Sequence, residues 1–298
     1  MTFQAPCKPG AGLDTTKIKE TSSSPCLLRA DLVWKGTLME NAGKLREKWR
    51  RGLVPVGSGI TFTDPTVSEA LANVLDFVFI DMEHNALSLE TVQGHVMATK
   101  GTDAAALVRV PWNDPVLIKP VLDLGADGVV VPLIRTAADA RLAVRACLYP
   151  PDGIRGFGPR RPLKYGLVKD RDYCQKANET ILPIVQIEHI DAVNNLDEIL
   201  AVPGLAAALV GPNDLSGSMG LMGQTNHPDV VSAIETVVLK CREAGVFVSI
   251  GLANDPDLLI KWVDKGMQWL LMGVDWTLLM QSTISVSTRM REHVQSLR

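Results

Sequence analysis

Eight short apolar runs recur along the chain between residues 54 and 273, and polar segments with helical signals separate them. The runs are continuous rather than alternating between apolar and polar residues, which is typical of parallel strands covered on both faces. They occupy residues 54–60, 77–81, 105–110, 128–132, 182–188, 205–211, 246–251 and 268–273. The pattern therefore predicts eight buried parallel strands.

Many of the segments between the runs begin with residues that favour a helix start. Asp64-Pro65 and Asp255-Pro256 each place an N-cap before a proline suited to the first helical turn. Eight strand–helix repeats without a second domain predict an α/β fold, a single (β/α)8 TIM barrel over residues 37–298. A doubly wound open sheet is the alternative, but no G-x-G-x-x-G motif follows the first strand to support it.

Residues 1–36 differ in composition from the rest of the chain. They are rich in Ser, Thr, Pro and Lys, and they show no amphipathic period. They also lack the apolar core of a secretory signal. We therefore expect a flexible N-terminal extension ahead of the barrel.

Composition and charge narrow the class of protein. Hydrophobic residues make up 46% of the chain and the formal net charge is −3, which disfavours a nucleic-acid partner. No apolar run reaches the ~18–20 residues of a membrane span. The five cysteines are scattered, which is typical of reduced thiols rather than a disulfide framework. We expect a cytoplasmic protein with no membrane partner.

Polar residues end four of the predicted strands, where the active site of a barrel is built. They are Asp81, Arg109, Gln186, Glu188 and Asp214, and His84 follows the first of them closely. A single charged residue at a strand end commonly anchors a loop. Ionisable groups of both signs on four strands instead indicate an active site.

These residue types suit metal-assisted carbonyl chemistry. Glu188 and Asp214 leave adjacent strands, so their carboxylates can converge on Mg²⁺ or Mn²⁺; alternatively, they pair with arginines such as Arg155. Arg109 offers a planar cationic fork for a carboxylate or an enolate oxygen. His84 is a candidate acid or base, although a structural loop histidine is the alternative. The eight runs contain no lysine for Schiff-base catalysis, so carbonyl chemistry would need a metal.

Five motifs follow one another along the chain: FVFIDMEH, LVRVPWNDPVLIKPVLDLGADGVVVP, YPPDGIRGFGP, PIVQIE and GPNDLS. In this order they resemble the metal-dependent pyruvate aldolases of the HpcH/HpaI family, and the likeness runs from about residue 53 to 280. The resemblance implies a carbon–carbon lyase that cleaves 4-hydroxy-2-oxo acids to pyruvate and an aldehyde through a pyruvate enolate. The alternative is an oxaloacetate decarboxylase or enolate-using synthase of the macrophomate synthase type.

Two further alternatives find less support in the sequence. A related acyl-CoA lyase should carry a basic nucleotide-binding surface, and none is evident. A barrel retained as an assembly or nucleic-acid-binding module would rest on the one strong basic cluster, residues 44–51. That cluster is more simply interpreted as the solvated face of a leading helix.

The resemblance also implies a role for each site residue. Glu188 and Asp214 match the metal ligands, with Mg²⁺ favoured and Mn²⁺ or Co²⁺ as alternatives. Arg109 matches the group that stabilises the enolate, and His84 the acid–base group. Asp123 matches the partner of that histidine, and Gln186 matches a group near the metal and the pyruvate. The backbone N–H groups of Asn213 and Asp214 would bind the pyruvate carboxylate, and Asp81 would anchor the histidine loop.

Members of the family form trimer-based hexamers with exchanged C-terminal helices, so the resemblance implies a homo-oligomer. Residues 266–282 are more apolar than a solvent-facing last helix needs, although ordinary packing of the last strand and helix explains most of this. The long segment 148–180 carries Arg160, Arg161 and Lys164, which depart from the family pattern and are expected to bear on the choice of acceptor.

Overall fold

The computed structural model describes residues 40–252 and 254–298, so the predicted extension at residues 1–36 lies outside the described part of the chain. Within it, eight parallel strands close into a barrel in sequence order, which confirms the predicted (β/α)8 fold. The strands are β1 (Val56–Ile60), β2 (Phe77–Asp81), β3 (Ala105–Arg109), β4 (Gly128–Val131), β5 (Leu182–Ile187), β6 (Ala207–Val210), β7 (Phe247–Leu252) and β8 (Trp269–Val274).

Helices connect successive strands, and one precedes the barrel. They are α1 (Glu40–Arg50), α2 (Thr66–Ala72), α3 (Leu89–Ala98), α4 (Pro115–Asp123), α5 (Ala137–Cys147), α6 (Asp170–Thr180), α7 (Ile190–Asn194), α8 (Leu196–Leu200), α9 (Pro212–Ser218), α10 (Pro228–Ala244), α11 (Pro256–Asp264) and α12 (Asp275–Ser296). Capping side chains start several of them, as predicted: Asp255, for example, accepts hydrogen bonds from the N–H groups of Asp257 and Leu258.

The barrel interior is a packed apolar core that is closed at the amino-terminal ends of the strands. Alternate residues of each strand point inward, so Phe77 and Phe79 of β2 pack among residues such as Leu107 and Ile184. Helix α1 seals this end with Trp49, whose ring centroid lies 5.7 Å from that of Trp269. With this end filled, a site within the barrel is expected at the carboxyl ends of the strands.

The irregular stretch before α6 reaches the amino-terminal end of the barrel. Arg155 is buried and donates a hydrogen bond to Asp123, the last residue of α4. Arg161 donates to the carbonyl of Leu124 at the same helix end. Because each helix runs antiparallel to the strands, these contacts lie opposite the carboxyl ends of the strands. Within one chain, Arg161 therefore does not line the rim.

The last helix, α12, does not pack along the barrel. Asp275 is its one buried residue, and seven large apolar side chains on the helix are 47 to 61% exposed. Ordinary packing therefore explains the apolar residues of β8 within segment 266–282, but not those of α12. Among the described residues, no helix is both long and apolar enough to cross a membrane.

Candidate active site

Asp81 and Arg109 form a buried ion pair at the carboxyl ends of β2 and β3. The two residues are in register on these adjacent strands. The Nε and Nη2 atoms of Arg109 each donate a hydrogen bond of 2.8 Å to one carboxylate oxygen of Asp81. Phe79 packs beneath, with its ring centroid 5.5 Å from the guanidinium carbon. Two parallel charge-assisted hydrogen bonds fix the plane of the guanidinium.

Asp81 also holds the loop that carries His84. Its Oδ1 accepts a hydrogen bond of 3.0 Å from the backbone N–H of Glu83, and its Oδ2 accepts one of 2.7 Å from the side chain of Asn85. The contacts agree with the orienting role that the resemblance implies. The His84 side chain is 63% exposed on this loop, so it lies at the rim and not in the barrel core.

Glu188 follows β5 and is held from two sides. Its Oε1 accepts a hydrogen bond of 2.7 Å from the backbone N–H of Leu133, and its Oε2 accepts one from the amide nitrogen of Gln186. Leu133 has a left-handed backbone with φ of 54°. Such a conformation costs about 1–3 kcal/mol in a residue other than glycine. Local strain therefore accompanies the hydrogen bond that orients Glu188.

Asp214 lies in the first turn of α9, beside Glu188. Burial raises the pKa of Glu188, and the nearby Asp214 carboxylate raises it further, against the opposing hydrogen bonds from Leu133 and Gln186 and the charge of Arg109. The N–H groups of Asn213 and Asp214 belong to the helix turn that has no intrahelical acceptors. One end of this site therefore offers carboxylates, and the adjacent helix start offers backbone donors.

The residues around Glu188 fit a divalent cation. Among the residues that the structure describes, no group of three or more His, Cys, Asp or Glu side chains is arranged around one point. Mg²⁺, however, commonly takes only one or two protein carboxylates, together with water and substrate oxygens. The Oε1 atom of Gln186 is buried without a hydrogen-bond partner in the described part of the chain, next to the Glu188 carboxylate. Glu188, Asp214 and this amide oxygen form a suitable donor set.

Within one chain, the structure does not bring Asp123 and His84 together. Asp123 ends α4, which runs nine residues back from the rim, a length of about 13 Å. There it accepts a hydrogen bond of 2.7 Å from Arg155, while His84 lies 3.5 Å from Glu83. Arg155 therefore pairs with Asp123, and the alternative in which it pairs with Glu188 or Asp214 is wrong.

Sequence reasoning gave no role to three further contributors to the site. Glu83 contacts both Arg109 and His84, and its signal was the continued alternation of Phe77, Phe79 and Asp81 on the inward face. Leu133 acts through its backbone, for which the sequence carries no signal. Gly211 is required because a Cβ atom there would lie 2.7 Å from Oε2 of Glu188. In the sequence, the glycine of GPNDLS is the signal of that close approach.

Comparison with known proteins places the chain among aldolases. A profile described as HpcH/HpaI aldolase/citrate lyase matches residues 63–282. A 4-hydroxy-2-oxo-heptane-1,7-dioate aldolase of Shigella sonnei is 37% identical over 252 residues, which are 84% of this chain and 95% of that protein.

Solved structures share the fold. An HpcH/HpaI aldolase/citrate lyase family protein from Burkholderia cenocepacia superposes with a TM-score of 0.78 at 32% identity, over 83% of this chain and 98% of that one. Macrophomate synthase superposes with a TM-score of 0.74 at 24% identity, over 90% of this chain and 94% of its own. At 24% identity, the likeness to macrophomate synthase shows a shared fold alone.

We expect Asp81→Ala to lower the free energy of unfolding by about 3–5 kcal/mol, because it removes one partner of a buried ion pair and leaves the Nε and Nη2 edge of Arg109 without acceptors. Asp197→Ala is the control, since it removes an exposed ion pair with Lys240, and we expect a loss below about 1 kcal/mol. Urea unfolding at pH 7 and one fixed protein concentration measures both. Equal losses would contradict the central place of the Asp81–Arg109 pair.

Proposed function

The chain belongs to the HpcH/HpaI aldolase/citrate lyase family, and we propose that it reversibly cleaves 4-hydroxy-2-oxo acids to pyruvate and an aldehyde. The observation that carries the proposal is the fixed Arg109 guanidinium on the same rim as the carboxylates of Glu188 and Asp214. A cation held in a buried, rigid setting is suited to stabilise an oxyanion.

Arg109 would stabilise the enolate of pyruvate. Its Nε and one Nη2 hydrogen are engaged by Asp81, which leaves hydrogens on Nη1 and Nη2 for a substrate oxygen. Negative charge develops on the C2 oxygen as the C3–C4 bond breaks, because the bonding electrons move into the enolate. A guanidinium already fixed in place needs no reorganisation to meet that charge.

His84 would move the proton. In cleavage, the C4 hydroxyl loses its proton to the imidazole, directly or through a water, and the C4 oxygen becomes the carbonyl of the departing aldehyde. The enolate then takes a proton at C3 to give pyruvate. The exposed position of His84 at the rim suits this exchange, since the ring can reach both substrate and solvent.

Glu188 and Asp214 would hold a divalent cation, with Mg²⁺ the first choice and Mn²⁺ or Co²⁺ as alternatives. When bound, such an ion acts as a Lewis acid that withdraws electron density from the 2-oxo acid. Gln186 would lie beside the ion and the pyruvate oxygens. The N–H groups of Asn213 and Asp214 would bind the pyruvate carboxylate.

Aldol cleavage and decarboxylation of oxaloacetate share the same enolate, so the residues above serve both reactions. The 37% identical relatives are named aldolases, whereas the likeness to macrophomate synthase extends only to the fold. We therefore propose aldol cleavage as the main activity. Parallel assays of both reactions, with Mg²⁺ and with Mn²⁺, compare them directly.

The wild-type protein should exchange the methyl protons of pyruvate with deuterium oxide in the presence of Mg²⁺ or Mn²⁺, without any aldehyde. Arg109→Ala should slow the exchange by about 10²–10³-fold, because it removes a donor to the oxyanion. Arg109→Lys should recover little of the rate, since a point charge does not reproduce the planar fork. Proton NMR of the pyruvate methyl signal measures the exchange.

Chelation provides the control for this experiment. Exchange should stop when the divalent ion is removed and return when it is restored. Full exchange after exhaustive chelation, or a pyruvate adduct trapped by borohydride, would contradict a metal-dependent reaction. Unchanged exchange in Arg109→Ala would mean that the guanidinium serves another purpose.

Gly211→Ala should weaken metal binding by about 10–100-fold, the usual effect of disturbing the surroundings of a ligand. A Cβ atom at Gly211 would lie 2.7 Å from Oε2 of Glu188 and 3.1 Å from Nε2 of Gln186, so both side chains must move. Gly43→Ala is the matched control, with no neighbouring atom within 4 Å of its Cβ. Calorimetric titration with Mn²⁺ compares the two, and equal affinities would count against this placement of the ion.

We further propose that α12 packs against a second copy of the chain in a homo-oligomer. Seven of its large apolar side chains are half exposed: Trp276, Leu279, Met280, Ile284, Val286, Met290 and Val294. An exposed apolar surface of this kind is typical of an interface. A trimer-based hexamer is the expected assembly, and light scattering at micromolar concentration tests it.

In such an oligomer, Asp123 of one copy would act on His84 of another, because the two are remote within a single chain. Co-expression of His84→Ala with Asp123→Ala tests this arrangement. Each variant alone should lose most of its pyruvate exchange, while mixed oligomers should regain it at about a quarter of their sites, where an intact histidine meets an intact aspartate. An absence of complementation would show that the two residues do not act across subunits.

A further inference from the structure

Glu83 lies between the two groups to which the proposed mechanism assigns chemistry. Its Oε2 atom is 3.0 Å from Nη1 of Arg109 and 3.5 Å from Nε2 of His84. The Glu83 side chain is only 13% exposed, and its backbone N–H is anchored by Asp81. One buried carboxylate oxygen therefore faces both the cation and the imidazole.

The surroundings of this oxygen are electrostatic rather than hydrogen-bonded. Oε2 of Glu83 is buried without a hydrogen-bond partner among the described residues, and the contact with Arg109 is an ion pair. A buried charge is costly unless a charged neighbour compensates it. Burial raises the pKa of Glu83, the charges of Glu188 and Asp81 act in the same direction, and those of Arg109 and His84 oppose them.

Arg109 is consequently held at two places. Asp81 binds the Nε and Nη2 edge through two hydrogen bonds, and Glu83 lies against the Nη1 corner. A guanidinium constrained on both sides keeps one orientation of its remaining N–H groups. The stabilising effect of a preorganised donor depends on that orientation.

His84 gains its orientation from the same carboxylate. Its ring is 63% exposed, and its ionic contact in the described part of the chain is with Glu83. A carboxylate charge beside one ring nitrogen attracts that side of the imidazole electrostatically. Glu83 can therefore set the direction of the ring.

We propose that Glu83 is a positioning residue that holds Arg109 and His84 in one relative arrangement for enolate formation. The inference rests on the proposed function, since it gives Glu83 a purpose only where Arg109 meets an oxyanion and His84 moves a proton. It assigns no contact between Glu83 and the substrate. It accounts for a buried acidic side chain that the roles of Asp81, Glu188 and Asp214 leave unexplained.

Glu83→Gln tests the proposal, because it removes the charge and keeps the shape. Exchange of the pyruvate methyl protons in the metal-loaded enzyme should slow by about 10–100-fold, with the loss in kcat and the KM for pyruvate near its wild-type value. Glu243→Gln, which removes an exposed carboxylate on α10, is the matched control and should leave both constants unchanged. Circular dichroism and thermal unfolding confirm that the variants fold.

A second readout does not depend on activity. Crystal structures of the wild type and Glu83→Gln should show the His84 ring turned away from residue 83 and the Nη1 corner of Arg109 shifted in the variant. Unchanged positions of both side chains, or exchange at the wild-type rate, would overturn the proposal. If the wild type itself fails to exchange pyruvate protons, the proposed function fails, and the crystal structures alone decide whether Glu83 positions the two groups.

Discussion

The ion pair between Asp81 and Arg109 organises the carboxyl end of the barrel. It forms because β2 and β3 are paired in register and both residues occupy inward-facing positions above apolar layers. Two hydrogen bonds of 2.8 Å hold the guanidinium, and the same carboxylate anchors the loop that carries Glu83 and His84. One buried carboxylate therefore sets the position of the cation and of the loop beside it. Loss of Asp81 would leave the Nε and Nη2 edge of the guanidinium without acceptors, and loss of Arg109 would leave a buried carboxylate without its cation.

The two ends of the barrel serve different physical purposes. At the amino-terminal end, Trp49 of α1 closes the interior against Trp269 and Phe247, with ring centroids 5.7 and 5.0 Å away. That end is filled by apolar side chains, so a site is expected at the other end, where the strands deliver charged groups instead of apolar ones. The direction of the helices also explains why Asp123, at the end of α4, is remote from His84 within one chain. A helix that returns along the barrel carries its last residue away from the rim.

The sequence predicted the fold because continuous apolar runs have few other structural solutions when they alternate with capped helices. It predicted Arg109, Glu188 and His84 as rim residues because polar groups at strand ends must gather there. It did not predict Glu83 as a neighbour of Arg109, since loop geometry decides whether the inward alternation of β2 continues past Asp81. The hydrogen bond from the backbone of Leu133 to Glu188 could not be predicted either, because a left-handed backbone at a leucine has no sequence signature. The direction of α4 decides whether Asp123 can reach His84 within one chain, and a likeness between motifs does not specify it.

Charge balance links these features to the chemistry. Four carboxylates gather at the rim, those of Asp81, Glu83, Glu188 and Asp214. The positive charge of Arg109 acts on both Glu83 and Glu188 in the direction that lowers their pKa. Asp81 already neutralises Arg109 through paired hydrogen bonds. Burial raises the pKa of Glu83 and of Glu188, and the charge of neighbouring carboxylates adds to the effect. In the proposed function, a divalent cation would relieve this repulsion and would make the site complementary to an anionic 2-oxo acid, which the carboxylates alone would repel. The excess of carboxylates over cationic groups is therefore the feature that links the geometry of the rim to the proposed chemistry.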